Sequence, residues 1–212
     1  MSIMEKDITI SKALSWGWEV FKKQWQILVG ITLFVFAISA IVGFITEDGG
    51  ADVGGIGSFL LNIFVGTFIG IGLITIGLEI YGEKKPLFKD FFLNMEHFLN
   101  YLIGMLLYSI VVTIGFFLLF FPGVIWALKY QFFGYLIVEK GMSPMEALRK
   151  SGNITYGKKW FLLLFWIVLL CLNILGAIVA GIGLLVTIPV SLLATVYIYK
   201  KLSEKHTTNQ EL

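Results

Sequence analysis

Six apolar runs constrain this chain more than any other feature: residues 26–46, 56–80, 99–121, 123–138, 160–180 and 183–199. In hydrocarbon every backbone N–H and C=O must be satisfied internally, and a helix does this within one segment. A helical crossing takes roughly 20 mostly apolar residues. Four runs meet that length outright. The fourth and sixth are shorter and cross if their flanks snorkel and the bilayer thins locally. Composition points the same way, with 58% hydrophobic residues, 14% charged and a mean hydropathy of +0.87. Soluble domains carry roughly 25% charged residues, so a soluble enzyme and a disordered chain are excluded. A net charge of +2 falls far short of the basic excess of a nucleic-acid binder.

The breaks and the charges give the topology. Pro122-Gly123 interrupts one apolar stretch and Gly181-Ile182-Gly183 another, so each is expected to be a tight turn. Every one of the 16 lysines and arginines except Lys129 lies before span one, between spans two and three, between four and five, or after span six. Basic loops stay in the cytoplasm. The chain is therefore expected in the cell membrane as a multi-pass protein with both termini cytoplasmic. A re-entrant fourth segment would strand the later basic loops outside, and is rejected. No secretory cleavage pattern follows residues 1–12, so the first run reads as a retained anchor. Trp25, Tyr81, Trp160, Tyr197 and Tyr199 are expected at the inner boundary, where an apolar ring with a polar tip is at home.

Each pair of spans follows an amphipathic stretch. Ile10, Leu14, Trp18, Phe21 and Trp25 share a helical face in the first. Phe88, Phe91, Phe92, Met95 and Phe98 do so in the second. The third opens with Ser143-Pro144-Met145-Glu146, a capping box with proline at the first helical position, and turns Met145 and Leu148 to its apolar side. Such helices lie in the interface with lysines toward anionic head groups. The expected fold class is all-α: a polytopic membrane helix bundle of six transmembrane helices in three hairpins, each preceded by a cytoplasmic amphipathic interfacial helix. Residues 1–202 form one integral membrane domain, and 203–212 a polar, disordered tail.

Chemistry is sparse. Lys129 is the one basic residue inside a span, where burying a cation costs about 2.5 kcal/mol or more. It lies about 10 Å in from the outer turn at 1.5 Å per residue, and is expected to lean outward and snorkel, with Trp126 and Phe133 on its stem. Asn62 and Asn173 fall at similar depth and are expected to bond across helices. Asn62, Lys129 and Asn173 together form a candidate intramembrane polar cluster. Glu79 reads as a helix-end charge near Lys84 and Lys85. Gly66 and Gly70 form a G-x-x-x-G, continued by Gly77, read as close packing within the monomer ahead of a homodimer seam. Pro189 is expected to kink span six, and Cys171 to be a small buried hydrophobe. Metalloprotease, hydrolase and Walker motifs are absent, so no catalytic residue, metal site or cofactor is assigned and the protein is expected not to be an enzyme.

Several motifs carry a resemblance. Residues 72–85, ending in Tyr81-Gly82-Glu83-Lys84-Lys85, form its first half. Phe121-Pro122-Gly123, Lys129-Tyr130, Glu146-Ala147-Leu148-Arg149-Lys150-Ser151, Gly157-Lys158-Lys159-Trp160 and residues 189–199 form its second. The chain resembles the membrane domain fused to some glycerophosphodiester phosphodiesterases, and its stand-alone prokaryotic relatives. The resemblance implies a prokaryotic multi-pass membrane protein with a basic residue after Pro-Gly. It implies no phosphodiesterase activity, because hydrolysis in the fused proteins belongs to a separate soluble barrel. The expected role is a non-enzymatic membrane module that organises or contacts the bilayer or a membrane partner. A small transporter or channel with a polar path near Lys129 is the alternative. Expected partners are anionic lipid head groups, with a second copy or another membrane protein as further candidates.

Overall fold

The computed structural model describes residues 8–47, 54–178 and 181–208. Among them every regular element is helical. Helix α1 covers Ile10–Glu47, α2 Gly54–Tyr81, α3 Phe98–Leu118, α4 Phe120–Tyr130, α5 Phe133–Lys140, α6 Pro144–Ile154, α7 Lys159–Ile178 and α8 Leu184–Thr208. Six stretches are long and apolar enough to cross a membrane, the fourth being α4 and α5 in series. The helices carrying the fourth and sixth apolar runs extend to 21 and 23 residues because they continue into charged flanks. Half of the most apolar window of each is buried, against 11% in the third. The broken α4–α5 helix and α8 are therefore central, and α3 is peripheral.

The turns differ from expectation in one case. Between α3 and α4 the chain breaks at Leu119, which is fully extended, and not at Pro122-Gly123. Pro122 instead sits in the first turn of α4, where its missing N–H is no loss. Gly123 lets α4 close on α3: a Cβ on Gly115 would stand 2.9 Å from the Gly123 Cα. The other break stands at the glycine turn, with Gly181 in the left-handed region at φ +73°. There Gly176 and Gly183 bring α7 and α8 together backbone to backbone.

The three amphipathic stretches take three different forms. The first is not a separate helix but runs into span one within α1, with a kink at Gln24 (φ −127°, ψ 26°). Ala13, Gly17 and Phe21 are its buried residues, so Phe21 packs on protein while Trp18 and Trp25 stay exposed. The second is two 3-10 turns, Phe88–Phe92 and Met95–His97, separated by Asn94 at φ +61°. Its fully buried Phe91 fills the notch left by Gly72 and packs edge-on to Phe34. The third is α6. Ser143 stands at its N-cap and Pro144 follows, but the expected side-chain cap bond is absent. Ala147, Leu148, Ser151 and Ile154 are buried against protein while Met145 is exposed, so Leu148 does not share a lipid-facing side with Met145 as expected.

Burial concentrates at the end bearing the basic loops. There Phe132, Leu136, Ile137, Ala147 and Tyr199 are wholly enclosed. At the far end Phe59, Phe117, Phe121, Leu175 and Ile182 are exposed. Tyr199 is thus a core residue and not an interfacial one. Cys171 is exposed, contrary to expectation. The tail is also shorter than expected, since α8 continues through Thr208 with Ser203 buried. Residues 209–212 lie outside the described residues. Helix α8 runs through Pro189 without interruption.

Candidate functional site: a helix break and the cavity beside it

The fourth crossing stops being α-helical at Gln131 and Phe132 and resumes at Phe133. Such a break frees backbone groups that need new partners in a dry interior. Helix α6 supplies them. The Ser151 hydroxyl donates to the Lys129 carbonyl at 3.0 Å and accepts from the Phe132 N–H at 3.1 Å. Thr155 Oγ1 lies 3.0 Å from the same carbonyl and 2.9 Å from the Ser151 carbonyl. Both hydroxyl residues are fully buried. A helix expected to lie on lipid is therefore a structural clamp on the break.

The break aims Gln131 at α7, where its Oε1 accepts from Trp166 Nε1 at 2.5 Å. Beside this pair is a cavity of about 440 Å³ between α2, the break, α7 and α8. Leu73, Leu169 and Ile188 make its walls apolar, and Gln131, Asn173 and Ser191 give it polar edges. Asn173 spends its amide hydrogens on the Leu169 carbonyl at 2.8 Å and the Ser191 hydroxyl at 3.0 Å. Its Oδ1 is buried with no partner among the described residues. At 1.5 Å per residue Asn173 stands about 21 Å from the start of α7, well inside the bundle.

The three residues expected to cluster are not in contact. Asn62 is exposed and its amide donates within its own helix to the Ser58 carbonyl at 2.8 Å. Lys129 does not lean outward. Its stem lies against Gly152 of α6, at the basic end, and its ammonium sits 4.8 Å from the Tyr130 ring centroid. Asn173 alone meets the cavity, and it bonds across helices as expected. The sequence alone assigned no role to Gln131 or Thr155, and Ser151 entered only within a motif. The glutamine inside an apolar run was the available signal.

A second polar set ties the basic end together. Glu139, at the end of α5, accepts from Tyr199 and Lys200 of α8. Lys140 donates to Ser203 at 3.3 Å, and Tyr81 to Glu204 at 3.2 Å. Lys84 pairs with Glu79 at 2.8 Å, as expected. The hydrogen bond and charge of Glu79 push the Lys84 ammonium above its ordinary value. Within span two, Gly70 faces Tyr101 and Gly77 faces Val196, while Gly66 has nothing close. Two of the glycines thus serve contacts with α3 and α8.

The chain is 23% identical to the uncharacterised protein Rv2560 of Mycobacterium tuberculosis over 230 aligned positions, covering 95% of this chain and 70% of that protein. The uncharacterised protein Mb2590 of Mycobacterium bovis gives the same figures, 23% identity with 95% and 70% coverage. No family model matches the chain, and no solved structure matches it.

Proposed function

We propose that this multi-pass membrane protein is a non-enzymatic module of the cell membrane, with both termini cytoplasmic, that engages anionic lipid head groups at its basic end. The α6–α7 loop and the start of α7 carry the reading. Tyr156 and Trp160 are 85% and 84% exposed and flank Lys158 and Lys159. Exposed aromatics settle at the bilayer interface, and each lysine near an anionic surface contributes about 1 kcal/mol. The loop starts from a tightly packed α6 and leads straight into α7, so these four side chains are presented from a firm base. The resemblance to the phosphodiesterase-associated membrane domain agrees with a module that works beside a partner.

Reconstitution tests this. In nanodiscs of phosphatidylglycerol the protein should melt several degrees higher than in phosphatidylcholine. Lys158→Glu with Lys159→Glu should remove most of that difference. Equal melting of the unaltered protein in both lipids would end the proposal. The transporter reading placed its path at Lys129, which does not line the cavity beside the break. The cavity lining holds no charged side chain, which argues against passage of an ion or charged solute.

A further inference from the structure

The cavity beside the helix break has no place in a head-group reading, and its chemistry narrows what fits it. Its volume, about 440 Å³, lies in the ordinary range of roughly 300–1,000 Å³ for small-molecule sites. Its walls are mostly leucine and isoleucine with the Tyr135 and Trp166 rings, and Thr195 is a further lining residue, so the body of an occupant is apolar. No lysine, arginine, aspartate or glutamate lines it, so a charged head group would be stripped of water without compensation. The route in is sideways. Trp166 and Leu170 line the cavity yet are 43% and 60% exposed on the outer face of α7, which in a bilayer meets acyl chains. The occupant therefore comes from the membrane and not from water.

One atom asks for something more specific than hydrocarbon. Asn173 has both amide hydrogens engaged, and its Oδ1 is buried without a partner. A buried acceptor left unmade costs about 1–3 kcal/mol, and such groups are rare enough to need a cause. Asn173 lines the cavity, so a ligand hydroxyl that reaches Oδ1 can donate to it. Gln131 and Ser191 flank that position. Broken helices in membrane proteins border binding sites because irregular backbone is tolerated where it lines a cavity, and this one does so.

The geometry points to an intramembrane site for a neutral lipophile bearing a hydroxyl, which enters from the bilayer between α7 and the α4–α5 break and donates to Asn173. The site is independent of the basic-end reading: it uses none of the same residues. The test uses the full chain in nanodiscs and three photoactivatable diazirine probes of equal chain length: a long-chain alcohol, the matching alkane and the matching fatty acid. The alcohol should label peptides of α7 and α8 that hold Asn173 and Ser191, and unlabelled alcohol should compete. Asn173→Ala should weaken alcohol labelling about three- to tenfold, the worth of one hydrogen bond, and leave alkane labelling unchanged. Leu192→Trp fills the cavity and should remove both, with melting measured on each variant to confirm the fold. Alkane and alcohol labelling equally, with Asn173→Ala neutral, would reduce the cavity to an acyl-chain groove and overturn the proposal. Preference for the fatty acid, or labelling spread evenly over all lipid-facing helices, would overturn it too.

Discussion

Ser151 does two jobs with one hydroxyl, since it is both donor to the Lys129 carbonyl and acceptor from the Phe132 N–H. Thr155 shares only the first of these. The asymmetry predicts unequal costs. Ser151→Ala leaves a buried N–H without a partner and should cost about 1–3 kcal/mol. Thr155→Val keeps the Lys129 carbonyl bonded to Ser151 and should cost about 0.5–1.5 kcal/mol, the net worth of an ordinary hydrogen bond. Denaturant unfolding in mild detergent measures both. Equal losses would mean that the clamp works by packing and not through the hydroxyls. Lys129 belongs to the same corner through its backbone, while its ammonium rests near Tyr130, worth about 0.5–1 kcal/mol at an exposed site.

Between elements, glycines decide how closely the helices approach. A Cβ on Gly17 of α1 would stand 2.9 Å from the Val190 carbonyl oxygen of α8. Backbone cannot swing aside, so the helices must separate. Gly17→Ala is expected to destabilise by about 1–3 kcal/mol, the usual range for overpacking. Gly66→Ala in α2 meets nothing within 4 Å. It should gain up to about 1 kcal/mol from helix propensity alone. Melting temperatures of the two variants should therefore move in opposite directions. A neutral Gly17→Ala would show that α1 is not held against α8 at this point. Helix α1 packs most extensively on α8 and only lightly on α2, its neighbour in sequence.

Across the whole molecule, packing and charge share one polarity. The end with the basic loops is enclosed by α5, α6 and the C-terminal part of α8, and the other end exposes large apolar side chains. In a cell the enclosed end should face the cytoplasm. With Cys171→Ser as background, single cysteines at Asp48 and Ile182 should react with an impermeant maleimide added outside. Cysteines at Glu83, Lys150 and Lys205 should not. Asp48 lies outside the described residues, so Ile182, exposed at the glycine turn, is the firmer reporter. Outside labelling at Lys150 together with Ile182 would end the six-span topology.

Hydropathy alone identified an all-helical chain with six helices long and apolar enough to cross a membrane, because span length and backbone self-sufficiency are local requirements. The glycine break at Gly181 and the Glu79–Lys84 pair were legible for the same reason: each acts over a few residues. What amphipathic stretches pack against is a different kind of question. An apolar face fits lipid and protein equally well in sequence, and only the fold shows that Phe21, Phe91 and Leu148 face protein. Depth along separate helices likewise could not say which polar residues meet. Asn62, Lys129 and Asn173 share an expected depth, yet rotation about each helix axis sends them to different neighbours. The break at Gln131 depends on α6, some 20 residues later. A helix gives up its own hydrogen bonds only where tertiary partners replace them, and that exchange is decided by packing alone.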